Sequence, residues 1–414
     1  MRDTDLYAQI LGLHAPWHVT GVDLDRAAGS VTVEVTAVEG VTFACPTCGK
    51  PAPGYDRRRR KWRHLDTCQY TTVLEADVPR VNCAEHGVAT VAVPWATPGS
   101  GYTLLFEALV IDWLKEASVK AVAAQLRVTW GAIDRIMRRA VERGLARQKR
   151  QSPSRLCVDE TSFQKRHEYV TVVTDPDAGH VLYVADDRKT ESLEAFYAGL
   201  DDAQKAGIHG VSMDMWAPYI NATRRHLPDA DEKIGFDKFH VAKLLGDAVD
   251  KVRRQEHRRL TSEGSDLLKG SKYAWLSRPE NMTHDQRRHF LSLRDSTLKT
   301  ARAWAIKEMA MGQWHYTSRT WAMKAWKRWL AWALRCRLAP MRAAALTIKR
   351  QLWGIINAIV LNLHNGHAES MNSRIQRLKK RACGFRSRDR FRNAILFHLG
   401  GLDLYPRPAQ VQTA

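Results

Sequence analysis

Arg155-Leu156-Cys157-Val158-Asp159-Glu160 opens the tract that decides the fold, and Gly210-Val211-Ser212-Met213-Asp214 closes it. Residues 155–159, 169–175 and 180–185 are short runs rich in β-branched and apolar residues, the composition of strands. Residues 191–200 change to a helical run. Residues 210–214 return to strand, 218–226 are helical again, and 233–236 form a last strand. Asp159 and Asp214 stand at the ends of the first and the fourth of these strands.

Three strands, a helix and a fourth strand is the order of a ribonuclease-H-like sheet, in which the first and fourth strands are neighbours. That topology predicts that the two carboxylates meet at one edge of the sheet. Single Asp residues at strand ends also serve as turn or cap residues, so their joint placement carries the argument. Two carboxylates there can share a pair of Mg²⁺ ions, one activating an attacking hydroxyl and one stabilising a leaving oxygen. A third acidic ligand has to come from elsewhere. Glu369, in Asn365-Gly366-His367-Ala368-Glu369-Ser370-Met371-Asn372-Ser373, falls in the first turn of a helix that follows the Asn365-Gly366 turn. That helix also carries Arg374, Arg377, Lys379, Lys380 and Arg381, a basic run suited to a DNA backbone.

Upstream, residues 17–43 alternate apolar and polar positions, a strand pattern. Cys45-Pro46-Thr47-Cys48-Gly49 is a knuckle: two thiolates two residues apart can hold one metal, with Gly49 allowing the tight turn. Cys83-Ala84-Glu85-His86-Gly87 repeats the form with an imidazole, which gives a Cys₃His structural zinc set. His64 and Cys68, between the knuckles, are a rival ligand pair. Arg57-Arg58-Arg59-Arg60-Lys61 reads as a loop between knuckles, either a solvated face or a phosphate-contacting loop. Residues 118–126 form a short amphipathic helix and 127–129 a turn with Thr129 as N-cap. A second helix from Trp130 to Val141 buries Ile133, Ile136 and Met137 and presents Arg135, Arg138 and Arg139. Two short helices with a basic second one suit major-groove binding, though a plain helical hairpin has the same pattern.

Composition agrees. Over 414 residues, 64 Lys and Arg oppose 44 Asp and Glu, a formal charge of +20 that calls for a polyanionic partner. No apolar run approaches the roughly 20 residues of a membrane span, and residues 1–13 do not read as a signal peptide. Seven cysteines, an odd number, suit a reducing cytoplasm with a metal site rather than a disulfide scaffold. The expected organisation is multidomain α+β. Residues 1–100 form a β-rich region with a zinc ribbon at about 41–95, and 101–150 a helix-turn-helix domain. Residues 151–240 and 360–400 form a ribonuclease-H-like core, interrupted by an all-helical insertion at 241–359 and followed by a tail at 401–414, with 405–414 loose. Six tryptophans of the insertion (Trp304, Trp314, Trp321, Trp326, Trp329 and Trp332) read mostly as core, with one or two left to touch DNA.

Along nearly the whole chain, in order, these motifs resemble the insertion-sequence transposases of the ISL3 family. The resemblance rests on the two knuckles, the tracts Arg60–His64–Asp66 and Pro94-Trp95-Ala96, and the helix-turn-helix. It rests further on Val158-Asp159-Glu160-Thr161-Ser162-Phe163, on Ser212-Met213-Asp214-Met215-Trp216-Ala217-Pro218-Tyr219, on Glu369-Ser370-Met371-Asn372-Ser373 and on Cys383-Gly384-Phe385-Arg386. It implies a DDE transposase of a bacterial insertion sequence, at work in the cytoplasm on the nucleoid. Asp159, Asp214 and Glu369 would be catalytic and hold two Mg²⁺, and one Zn²⁺ would be structural. Terminal inverted repeats and target DNA would be its partners, in a homo-oligomer. Asp237-Lys238-Phe239-His240 matches a further motif of related families and reads two ways, as active-site support or as a capping Asp and a helix-start His. A non-catalytic DNA-binding regulator, a nuclease of the same fold without strand transfer, and a decayed copy are the competing readings.

Overall fold

A computed structural model of the chain describes residues 2–148, 152–164, 168–276, 282–296, 298–363 and 366–408. It divides into two compact units, Met1–Gln148 with Leu402–Ala414, and Lys149–Gly401.

In the first unit a short helix α1 (Asp3–Ile10) precedes strands β1 (Trp17–Asp25), β2 (Ser30–Ala37), β3 (Gly54–Arg63), β4 (Thr71–Cys83) and β5 (Gly87–Thr90). Strand order is β1-β2-β4-β3, with β5 also on β4. β2 shows why it forms: Val31, Val33, Val35 and Ala37 all turn inward, and the intervening side chains do not. They pack on Trp17, Trp62, Leu74 and Trp95, where Trp95 meets Trp17 edge-on at 4.9 Å and Trp62 at 5.5 Å. The arginine run expected as a loop is strand β3, paired with residues 73–81 of β4. It forms a strand because β4 supplies a ladder, and β4 and β2 supply acidic neighbours: Arg59 binds Glu34, Glu75 and Asp77 at 2.8, 2.9 and 3.3 Å.

Helices α2 (Leu104–Glu116), α3 (Val119–Gln125) and α4 (Trp130–Arg147) follow. Thr103, Ser118 and Thr129 each cap a helix by accepting from the backbone N–H three residues on, and Arg127 makes the turn in the left-handed region at φ 55°. Ile133, Ile136 and Met137 are buried, and α4 runs on to Arg147. The start of the tail is held rather than loose. Leu404 is buried, Arg143 donates to its carbonyl at 2.6 Å, and Arg147 donates to that of Tyr405 at 2.6 Å. Two carbonyls facing two α4 guanidiniums explain why.

The second unit holds a sheet of β6 (Arg155–Gln164), β7 (Glu168–Asp175), β8 (His180–Ala185), β9 (Gly210–Met213) and β10 (Ile234–Phe236), in the order β10-β9-β6-β7-β8. β6, β7 and β8 are an antiparallel meander; β9 runs parallel to β6, and β10 parallel to β9. α5 (Thr190–Ala198) and α6 (Asp202–Gly207) join β8 to β9, and α7 (Ala217–His226) and α8 (Ala230–Lys233) join β9 to β10. Beyond β10, among the described residues, come α9 (Lys238–Ser262), α10 (Lys272–Leu276), α11 (His284–Arg294), α12 (Lys299–Met311), α13 (Arg319–Arg335), α14 (Ala339–Arg350) and α15 (Leu352–Val360). Trp275, Trp326 and Trp329 are fully buried among them, whereas Trp321 is 59% and Trp332 38% exposed. Glu256 of α9 accepts from the Lys299 and Thr300 amides at 2.8 and 2.7 Å, capping the start of α12. α15 returns to the sheet: Gly354 lies on Phe236, and Asn357 donates to the Asp231 and Ile234 carbonyls at 2.7 and 2.8 Å. α16 (Gly366–Arg381) and α17 (Arg388–Leu399) complete the unit. Asn365, half of the expected turn before α16, lies outside the described residues.

Candidate active site and metal centre

The zinc knuckles meet. Among the described residues, Cys45, Cys48, Cys83 and His86 are the one group of three or more Cys, His, Asp and Glu side chains whose ligand atoms all lie within 4.8 Å of one another. β4 and β5 bring the second pair round, with Cys83 paired to Gly87 across their turn. The Cys45 N–H donates to the Lys50 carbonyl at 2.8 Å and the Gly49 N–H to the Cys45 carbonyl at 2.9 Å; Gly49 and Gly87 take positive φ of 71° and 67°. Cys48 Sγ stands 3.7 Å from Cys83 Sγ, and His86 Nδ1 3.6 Å from Cys83 Sγ and 3.8 Å from Cys45 Sγ. A tetrahedron with Zn–S bonds of about 2.3 Å has edges of about 3.8 Å, so the donor set fits zinc. Backbone N–H groups aimed at Cys45 and Cys83 hold both thiols below their ordinary pKa, which favours the ligating thiolate. The rival pair does not enter this set. His64 is buried with Nδ1 2.9 Å from Thr103 Oγ1, and burial lowers its pKa to about 4; Cys68 is exposed.

The basic residues separate into two groups. Arg57, Arg58, Arg135, Arg374, Arg377 and Lys380 have exposed side chains, as has Arg138, while Arg60 lies with its guanidinium 5.6 Å from the Trp62 ring. Arg139 is not presented. It binds buried Glu107 of α2 at 2.5 Å, and Arg143 takes the other oxygen at 2.9 Å, because an ionised carboxylate inside a helical domain needs its charge met. Lys379 donates to the Ser162 carbonyl at 2.8 Å.

In the second unit, β6 and β9 pair over Arg155↔Gly210, Leu156↔Val211 and Cys157↔Ser212. Asp159 is two residues beyond this register on β6, and Asp214 two residues beyond it after β9. Both are half-buried. Burial and the facing Asp214 charge raise the Asp159 pKa to about 7. Two like charges crowded this way fit a cation between them, whose charge would remove the repulsion. Asp237 is buried at the start of α9, and burial raises its pKa. One helical turn on, His240 Nε2 lies 2.6 Å from Asp214 Oδ1, and that carboxylate raises the imidazole pKa. Glu369 is exposed in the first turn of α16, near enough for its charge to act on Asp237. Asp159, Asp214 and Glu369 do not form a group within 4.8 Å.

Sequence reasoning missed what seats α16. β9 covers β6 only as far as Cys157, so among the described residues the later part of β6 has no strand on that side. α16 fills the place with side chains one and two turns apart. Asn372 Nδ2 donates to Asp159 Oδ2 at 2.7 Å and to the Glu160 carbonyl at 3.3 Å. Gln376 Nε2 donates to Thr161 Oγ1 at 2.9 Å and to the Ser162 carbonyl at 3.2 Å, next to the Lys379 bond. The spacing 372, 376, 379 on a basic helix was the available signal.

Comparison with known proteins follows the same division. Residues 156–395 match the ISL3 DDE family model, described as a transposase. Residues 91–141 match the helix-turn-helix domain of transposase family ISL3, and residues 42–86 the zinc-finger of transposase IS204/IS1001/IS1096/IS1165. The transposase for insertion sequence element IS1557 of Mycobacterium tuberculosis, in strains CDC 1551 / Oshkosh and ATCC 25618 / H37Rv, is 30% identical over 94% of this chain and 93% of its own length. That for insertion sequence element IS1001 of Bordetella parapertussis is 24% identical over 84% of this chain and 86% of its own. A zinc ribbon, a helix-turn-helix and a transposase domain matched in order, with a full-length relative at 30% identity, lead to one assignment: this chain belongs to the ISL3 family of transposases.

Proposed function

We propose that the chain binds the terminal inverted repeats of its insertion sequence and cuts and joins DNA there by divalent-metal chemistry at Asp159, Asp214 and Glu369. One observation carries this reading: Asp159 and Asp214 leave neighbouring parallel strands side by side, and the helix that bears Glu369 is bonded to Asp159 through Asn372. The sheet order supports a ribonuclease-H-like core (151–240 and 360–400) interrupted by a helical insertion (241–359). The ribbon and the helix-turn-helix, with Arg57, Arg58, Arg60, Arg135 and Arg138, hold the duplex by its phosphates. Arg59, Arg139 and Lys379 serve the fold first.

Asp159, Asp214 and Glu369 would hold two Mg²⁺, which when bound would supply an activated hydroxyl nucleophile and charge stabilisation for the leaving oxygen. The chain's own groups position that chemistry. Asn372 holds one Asp159 oxygen and the Glu160 backbone N–H the other, each at 2.7 Å. His240 fixes Asp214. Arg374, Arg377 and Lys380 hold the strand backbone beside Glu369. Water, then a DNA 3′-hydroxyl, attacks phosphodiester bonds, so no covalent protein–DNA intermediate is needed. Pairing two ends calls for a homo-oligomer, acting on the nucleoid in the bacterial cytoplasm.

The test uses an end already cut. The full chain should join a labelled pre-cut element end to plasmid DNA, and Asp214→Ala should bind that end and join nothing. Joining by Asp214→Ala refutes the site. Cutting without joining by the wild type makes the chain a nuclease of this fold.

A further inference from the structure

The chain leaves the carboxylates through Asp214-Met215-Trp216, and the Trp216 N–H donates to the Asp214 carbonyl at 2.7 Å. Trp216 is 40% exposed, unusual for a tryptophan, and stands on the wall of a cavity of about 600 Å³. Tyr169 of β7 and Arg188, in the turn after β8, face it with Trp216. The Arg188 guanidinium lies 5.3 Å from the Tyr169 ring and 5.2 Å from the Trp216 ring. The indole N–H donates to the Arg188 carbonyl at 3.3 Å, and the Arg188 guanidinium reaches Glu160, beside Asp159, at 3.3 Å. The cavity is thus tied to both halves of the carboxylate pair.

Its lining says what it would take. The cations Arg188, Lys189 and Arg388 are matched by three carboxylates on the same wall. Arg388 is 3.3 Å from Glu168, and Lys189 is 3.6 Å from Asp187. A phosphate gains little where each cation already has its anion. A flat, uncharged ligand with its own donors and acceptors gains stacking on the indole and hydrogen bonds from the rim. A nucleobase is such a ligand. It reaches the cavity only when unpaired and turned out of the duplex stack.

We propose that this cavity receives one unpaired nucleobase from a nucleotide flanking the bond to be cut, stacked on Trp216. This rests on the reading that Asp159 and Asp214 act on a DNA phosphodiester. The pocket then holds the strand so that the phosphate next to that base lies at the carboxylates.

The experiment uses the full chain and a duplex of the element's end with its flank. 2-Aminopurine is placed at one position at a time across the three nucleotides on either side of the cut. Binding in Ca²⁺ should change the fluorescence strongly at one position only, and Trp216→Ala should abolish that change while the end stays bound. In Mg²⁺, Trp216→Ala should cut roughly five- to a hundredfold more slowly, the range for losing one stacked base, and Trp216→Phe should recover most of the rate. An abasic site at the responding position should narrow the gap between wild type and Trp216→Ala. A wild type that cuts normally, with no responding position or with Trp216→Ala within twofold, overturns the pocket alone. A wild type that cuts no element end overturns the reading of the carboxylates and the pocket with it.

Discussion

Removing the Asn372 amide is the sharpest single perturbation of the site. Asn372→Ala deletes a 2.7 Å bond to Asp159 and a 3.3 Å bond to the Glu160 carbonyl, on a helix otherwise seated by Gln376 and Lys379. A hydrogen bond to an ionised group contributes about 1.5–3 kcal/mol, and the longer neutral one less. The site is half-buried, so water replaces part of the loss at the carbonyl and the lower half of that range applies to folding. For chemistry the side-chain restraint on Asp159 Oδ2 is lost, while the Glu160 N–H still holds Oδ1. At about 1.4 kcal/mol per tenfold in rate, cutting should slow by roughly 10- to 100-fold, the usual scale for removing a group that orients a metal ligand. The Mg²⁺ concentration for half-maximal rate should rise as well. Single-turnover cutting of a labelled element end, at saturating protein and across a Mg²⁺ series, measures both. End affinity should hold, because the ribbon and the helix-turn-helix lie in the other unit. A normally folded Asn372→Ala that cuts within twofold of wild type at every Mg²⁺ concentration would refute the argument that α16 works through Asp159.

Other outcomes follow from the same contacts. Glu107→Ala leaves Arg139 and Arg143 facing each other without their buried anion, and should destabilise the first unit by about 3 kcal/mol, read as a shift in denaturant midpoint. Burial lowers the His64 pKa to about 4, below its ordinary value of about 6.5, so the unfolded chain takes up the proton first. Its stabilising term is whole above pH 6.5 and lost as pH falls towards 4, at most about 3 kcal/mol; His64→Gln should flatten that part of the Tm–pH profile, and an unchanged slope would contradict it. Chelating zinc should abolish end binding and the thermal transition of the ribbon while leaving the far-ultraviolet signal of the helical second unit, because the four ligands tie the Cys45–Cys48 turn to the turn between β4 and β5. Gly354→Ala puts a methyl group into the Phe236 ring and should lower the melting temperature of the second unit by several degrees.

What could be read in the sequence was whatever depends on neighbours along the chain. Cys45 with Cys48 and Cys83 with His86 announce a metal site by spacing alone, and Thr129 announces a helix by its place before Trp130. Strand order around Asp159 and Asp214 follows from the alternation of β-rich and helical runs, since a parallel β6–β9 pair needs the crossover through α5 and α6. What could not be read was the identity of partners from distant segments. Arg59 looks the same as Arg58 until β4 and β2 bring Glu75 and Glu34 to it. Arg139 looks the same as Arg138 until α2 places Glu107 beneath it. Asn372 gives no sign of its partner, because nothing in the sequence says that β9 stops short and leaves the edge of β6 to α16. The tail reads as loose for the same reason: its carbonyls are satisfied by Arg143 and Arg147, more than 250 residues earlier.

The central claim is that Asp159 and Asp214 cut DNA with a divalent metal. The direct measurement is cleavage of a labelled duplex carrying the element's own end, in Mg²⁺, by the wild-type chain and by Asp159→Asn. The account predicts cutting at the element boundary by the wild type, none in EDTA, and none by Asp159→Asn although it binds the end equally well. Equal cutting by Asp159→Asn, or tight binding with no cutting by either chain, would contradict it.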